Sequence, residues 1–473
     1  MLRRDLLATG MATLLPGAAL AQAPAAAPAP VPADTIVEKK VFELASLTTR
    51  GGATIPNVRV GYQTMGRLNA AGTNAVLVCH FFSGDSHAFG RYEAAGPAGY
   101  WDAIIGPGKA IDTNRYFVVS ADCLVNVNVP NARTVTTGPA SLNPATGKPW
   151  GMEFPVVAMR DFVEVQKKLL DSLGVKKLHM VTGPSNGALQ SVEWAAAYPG
   201  FIERVMPVIG GAEFDAWMIG WLNIWEAPIR LDPNWRGGDY YGPGREAPLR
   251  GLAEAWKLVT LHARDRASLG THGRKVAEGQ DPARNINDLF AVEKWLDDAA
   301  MARARTSDAN SFIYMVRANQ LFLHEYASYE AALAQAPHRW LVVPSPNDHV
   351  FLPEAMREMV EVLRRGGKAV QQAEVRGPLG HLNGVVGMAP LAEQIRAFIN
   401  NCRRGRAAQP MPGGGSQGWV AIGPGTESSR ISTSSEVAIS LCFIPPGMRM
   451  AAPGSQRCRL PSSNSSSTQP FST

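Results

Sequence analysis

The chain has 473 residues, 45% of them hydrophobic, with 11 Trp and a formal net charge of +6, a composition that excludes an intrinsically disordered chain. The charge sits at the ends: Arg3 and Arg4 outweigh Asp5 at the start, and beyond residue 402 seven arginines face only Glu427 and Glu436, so the body between is neutral. A neutral body offers no basic face for nucleic acid or for an acidic membrane surface, and neither partner is expected.

In chain order, Arg3-Arg4-Asp5-Leu6-Leu7 opens an alanine-rich apolar stretch that closes on Ala19-Leu20-Ala21. A charged start, an apolar run and a small-x-small site make residues 1–21 an export signal of twin-arginine type, so a periplasmic or secreted protein is expected. An uncleaved anchor fits poorly, because Gly10 and Pro16 interrupt the run; a cytoplasmic location is the alternative. Residues 22–34 are a Pro/Ala linker. Residues 35–402 then alternate strand-like and helix-like segments. Strands are predicted over 75–80, 116–120, 178–182 and 339–344, and helices over 160–173, 186–198 and 353–365. Strand, helix, strand, helix over this distance means a mostly parallel sheet with helices on both faces. From about 212 to 335 the pattern turns helical and rich in Trp, which predicts a helical lid inserted between two strands. Residues 403–473 collapse into Gly, Ser, Pro and Arg without period, a tail unable to bury a core. Five cysteines without close spacing (Cys79, Cys123, Cys402, Cys442, Cys458) predict neither a disulfide framework nor a zinc site.

The chemistry centres on Gly183-Pro184-Ser185-Asn186-Gly187. The G-x-S-x-G pattern alone has little specificity, since Gly414-Gly415-Ser416-Gln417-Gly418 in the tail also matches it. Context separates the two. Ser185 follows a predicted strand and opens a predicted helix, the arrangement of a nucleophile elbow. A serine hydroxyl needs a base, and the base an orienting acid, in the order Ser, Asp or Glu, His. Asp348 follows the 339–344 strand, and His381 lies in Gly377-Pro378-Leu379-Gly380-His381. His349 is the rival base, but shares the loop of Asp348 and cannot easily face it. The oxyanion donors expected are the backbone N–H groups of Asn186, just after the nucleophile, and Phe82, after the first predicted strand. His80 and His87 lack the spacing of a metal site, and no metal or cofactor is expected.

With these residues in place the chain resembles the homoserine O-acetyltransferase family of the α/β-hydrolase superfamily. The resemblance rests on Gly84-Asp85-Ser86-His87, on Ile105 through Thr113 (IGPGKAIDT), on Thr136 through Pro144 (TTGPASLNP), on Arg160-Asp161, and on Gln190, Glu193 and Trp194 after the elbow. Asp232-Pro233-Asn234-Trp235 with Gly238 and Tyr240 complete it. It implies an α/β-hydrolase fold with a helical lid, and a two-step reaction on a small acyl ester or thioester in which Ser185 takes the acyl group and an acceptor removes it. Self-association as a homodimer stays open. The sequence departs from the family at the substrate. Glu226 stands where the family has an arginine thought to hold the homoserine carboxylate, and Leu382 where it has an acid placed for the amine. An anion cannot bind a carboxylate and leucine cannot pair an ammonium, so Glu226, Leu382 and the neighbouring Trp225 are the pocket candidates. An exported ester hydrolase or acyltransferase acting on something other than homoserine is the expectation. A genuine homoserine O-acetyltransferase is the alternative, and a catalytically silent binding protein the second.

Overall fold

The computed structural model describes residues 35–401. The export-signal, linker and tail expectations, with Cys402, Cys442 and Cys458, lie outside the described residues. The first two strands, β1 (Lys40–Thr48) and β2 (Thr54–Met65), form an antiparallel hairpin. The central strands are β3 (Ala75–Cys79), then, past a short pair β4 (Ile105–Gly106) and β5 (Ile111–Asp112), β6 (Phe117–Ala121), β7 (Leu178–Pro184) and β8 (Arg204–Val208). Two more, β9 (Arg339–Val342) and β10 (Ala369–Gln372), complete an eight-stranded sheet in the order β1-β2-β6-β3-β7-β8-β9-β10. From β6 to β10 every pairing is parallel.

Successive residues of a strand face opposite sides, so one sheet feeds two cores. Val76 and Val78 of β3 enter one cluster with Met180, Met206 and Leu341; Ala75, Leu77 and Cys79 enter the other with Val181, Val205 and Trp340. Strands covered on both faces read as continuous apolar runs, which is why β3, β6 and β7 are legible in the sequence. The hairpin, the interior strand β8 and the edge strand β10 are not; β8 is buried throughout, but Arg204 and Pro207 interrupt its apolar run. β2 carries Pro56, and Asn57 sits at φ 52°, while β10 exposes most of its side chains and so has no apolar signature.

Helices α1 (Met159–Ser172) and α2 (Asn186–Ala197) fall where the periodicity places them. Between β8 and β9 the chain is helical: α3 (Ala216–Leu231), α4 (Leu249–His262), α5 (Ala291–Ala304), α6 (Ala309–Gln320) and the short α7 (Tyr329–Leu333). Helix α8 (Pro353–Arg365) matches its predicted bounds, and α9 (Asn383–Val386) and α10 (Ala392–Asn400) close the domain.

The motif residues of the insertion tie it together. Asp232 accepts from Asn234 N at 2.9 Å and Gly251 N at 2.7 Å, joining the end of α3 to α4. Asp308 accepts from the Tyr240 and Tyr241 hydroxyls at 2.6 and 2.9 Å and caps α6 through Ser311 N. The Asn310 side chain accepts from Trp235 Nε1 and donates to Gly238 O. The buried side chains of Asp232, Asp308 and Asn310 are thus each partnered, as buried polar groups usually are.

Candidate active site

Ser185 stands at the sharp turn between β7 and α2, at φ 57° and ψ −119°, a conformation disfavoured for a residue with a side chain. Its surroundings impose that turn. A Cβ on Gly183 or on Gly187 would come within 2.3 or 2.2 Å of the Cys79 carbonyl, so only glycine lets β7, α2 and β3 meet this closely. Ser185 N donates to Val208 O at 2.9 Å, and Ser185 O accepts from Ala188 and Leu189 as α2 begins.

The hydroxyl finds the two partners expected from chain order. His381 Nε2 lies 2.8 Å from Ser185 Oγ, and His381 Nδ1 lies 2.8 Å from Asp348 Oδ2. All three are buried. The other oxygen of Asp348 accepts from Val350 N at 2.8 Å and Phe351 N at 3.0 Å, which fixes the carboxylate plane. Phe351 also stacks on the His381 ring, centroids 6.1 Å apart. The rival His349 is half-exposed and points to Asp265, 3.7 Å away, not to Ser185. Such a relay can deprotonate a hydroxyl and return the proton to a leaving group.

On the opposite side stands the loop after β3. The N–H groups of Phe82 and Asn186 are unclaimed by any loop or cap hydrogen bond among the described residues. The carbonyls around them are spoken for. Phe81 O accepts from His80 Nδ1 at 2.7 Å and from Gly84 N at 2.9 Å. His80 O accepts from the side chains of Asn186 and Gln190, both at 3.3 Å. His80 is wholly buried, which lowers its pKa, and its Nε2 accepts from Cys123 N at 3.1 Å, so it is a neutral structural ring and not a metal ligand. Gln190 in turn is held by Gln166, and Gln166 by Trp194 Nε1. Cys79 and Cys123 are free and buried, with thiol pKa values pushed up by burial.

The pocket candidates lie on or beside the insertion. Trp225 is buried and meets Phe82 edge-on, ring centroids 5.7 Å apart. Glu226 is buried and pairs with Arg230 at 3.0 Å. Leu382 is half-buried and packs on the core beside His381. The sequence reading missed several residues that hold the site. Asn383 and Ser345 clasp the two loops that carry His381 and Asp348. His262, on α4, donates through Nε2 to His349 O at 2.7 Å and stacks on Trp221. Burial lowers its pKa to about 4. None of these has a local motif that would have marked it.

No family model matches the chain. It is 37% identical to the homoserine O-acetyltransferase of Symbiobacterium thermophilum over 79% of this chain and 97% of that protein. Among solved structures it is similar to esterase E22, at 44% identity and TM-score 0.74 over 77% of this chain and all of that one. It is also similar to the homoserine O-acetyltransferase of Bacillus anthracis, at 36% identity and TM-score 0.73 over 77% of this chain and 98% of that one. Identity of this order along nearly the whole length of such relatives, together with a nucleophile elbow on a mostly parallel sheet, makes the chain a member of the homoserine O-acetyltransferase family within the α/β-hydrolases, a serine-type acyl-transfer enzyme.

Proposed function

We propose that the protein is an ester hydrolase working through an acyl-Ser185 intermediate. His381 Nε2 takes the proton of Ser185 Oγ as that oxygen attacks the ester carbonyl, and Asp348 stabilises the imidazolium through Nδ1–H. The N–H groups of Phe82 and Asn186 receive the oxyanion, aided by the positive end of α2. Collapse expels the alcohol, which takes the proton from His381. A water molecule, deprotonated by the same imidazole, then attacks the acyl-serine carbonyl; the carboxylic acid leaves and Ser185 regains its proton.

The observation that carries hydrolysis over transfer is the pair of positions 226 and 382. Glu226 is committed to Arg230, and Leu382 offers no charge beside His381. Neither supports capture of an amino-acid acceptor, and water needs no such capture. The 44% identity to an esterase agrees with this. A second reading, acetyl transfer from acetyl-CoA to homoserine, has the names of the curated relatives in its favour. One experiment separates them. Acetyl-CoA is supplied with and without homoserine, beside a panel of simple esters, with Ser185→Ala as control. Serine-dependent O-acetylhomoserine sinks the hydrolase reading. Ester turnover indifferent to homoserine supports it, and turnover that survives in Ser185→Ala sinks both.

We further infer export, supported by the Arg3-Arg4 start and the Ala19-Leu20-Ala21 site. N-terminal sequencing of protein from the extracytoplasmic fraction should begin at Gln22; a Met1 start in the cytoplasmic fraction overturns it.

A further inference from the structure

The loop that carries Phe82 is held from the far side by a cation of the insertion. Arg303, near the end of α5, donates from Nη2 to Ser83 O at 2.5 Å, while Asn128 Nδ2 donates to the same oxygen at 3.1 Å. The guanidinium lies 4.9 Å from the centre of the Trp256 ring, and Trp256 in turn meets the Phe82 ring edge-on at 6.3 Å. Among the described residues the Arg303 Nε is buried without an acceptor. Burial lowers its pKa, an effect that the negative field of Asp85 only partly offsets. The side chain is part-buried, with Asp85 as the nearby negative charge, and its one backbone acceptor sits in the loop behind the oxyanion donor.

Two peptide groups connect that acceptor to the donor. The Ser83 carbonyl that Arg303 holds belongs to the same peptide as Gly84 N–H. Gly84 N–H donates to Phe81 O at 2.9 Å. Phe81 O belongs to the same peptide as Phe82 N–H, and in a trans peptide the N–H points away from its carbonyl. The order is therefore guanidinium, peptide 83–84, peptide 81–82, oxyanion. Each link orients the next, and hydrogen bonds in series strengthen one another by about 10–30% per bond.

We infer that Arg303 is a positioning residue that aims and polarises the Phe82 N–H through these two peptide groups, so that a helix of the insertion completes the oxyanion site. The inference rests on the acyl-Ser185 reading. Its effect belongs to the transition state, where the negative charge develops, and hardly at all to substrate binding.

The test uses the full-length chain and the variants Arg303→Lys, Arg303→Gln and Arg303→Met, with kcat counted per serine titrated by a fluorophosphonate. Loss of a whole oxyanion donor costs about 100- to 1,000-fold in kcat. Weakening one should cost about 10-fold in Arg303→Met, with KM within about 2-fold. Lys, which keeps the charge and a donor, should recover most of the loss; Gln, which keeps a donor without the charge, should recover less. Thionoesters, whose sulfur accepts hydrogen bonds poorly, should lose less rate than the matching esters in Arg303→Met. A fall in titratable sites with unchanged kcat per site, or an equal loss on esters and thionoesters, overturns the inference and leaves Arg303 a packing residue. Should Arg303→Met fail to fold, the Lys and Gln variants decide by the same two readouts. Ser185→Ala is run alongside: activity surviving there removes the acyl-serine reading itself, a failure distinct from a silent Arg303.

Discussion

The Asn383 amide donates to Ser345 Oγ at 3.1 Å, across the gap between the loop that bears His381 and the loop that bears Asp348. The same nitrogen reaches Gly377 O at 3.1 Å and Asn347 Oδ1 at 3.2 Å, and its oxygen accepts from Leu379 N. Ser345 Oγ also lies 3.0 Å from Gly380 O. Asn383 thus sets the distance between base and acid without touching either. Asn383→Ala takes an acceptor from Leu379 N–H and a donor from Ser345 Oγ, at a cost of about 1–3 kcal/mol. A lower thermal midpoint and a kcat loss of about 10-fold are expected, and an unchanged kcat with full stability would remove the clasp from the account.

Asp348→Asn retains shape but takes away the charge that selects the Nδ1–H tautomer of His381. On the pattern of Ser-His-Asp enzymes kcat should fall about 10,000-fold with little change in folding. A loss under about 10-fold would mean that Asp348 is dispensable and that another group orients the ring.

Gly187→Ala places a Cβ 2.2 Å from the Cys79 carbonyl, a backbone atom that cannot swing aside. Overpacking of this kind costs about 1–3 kcal/mol or more. The elbow should open, lowering both the denaturation midpoint and kcat. A stable, active Gly187→Ala protein would contradict the packing described for β3, β7 and α2.

His262 predicts an acid limit. Its folded pKa is depressed, mainly by burial and further by the charge on His381 when that ring is protonated, to about 4 against 6.5 for a free imidazole. The unfolded chain therefore binds a proton more readily than the folded one below pH 6.5. The contribution of the neutral ring is complete above pH 6.5 and is lost as the pH falls towards 4. The thermal midpoint should drop across that window, and His262→Gln, which can still donate to His349 O but does not titrate, should flatten the drop. An equally steep drop in the variant would assign the acid lability elsewhere.

Leu382→Asp restores a carboxylate beside His381. If the choice of acceptor lies there, the acyl-serine should partition more to an amino-alcohol acceptor relative to water, by about 10-fold for one new charge-assisted hydrogen bond. An unchanged partition ratio, read by product mass, would place acceptor choice outside position 382.

The sequence by itself determined the parts of this protein that obey short-range rules. Apolar runs gave away β3, β6 and β7 because strands buried on both faces need side chains of one kind, and the helical period bounded α1, α2 and α8. The order of Ser185, Asp348 and His381, the first two following predicted strands, announced the relay because chain order in this fold is set by topology. Only the tertiary structure decided what aims those groups. Ser185 and His381 are 196 residues apart, and Arg303 and Ser83 are 220 apart. A hydrogen bond over such a separation leaves no pattern in the neighbouring residues; it exists because the sheet and the insertion bring two loops together. The β1–β2 hairpin and β10 escaped for the complementary reason. Their side chains face solvent in part, and backbone pairing, which is blind to residue type, holds them in the sheet.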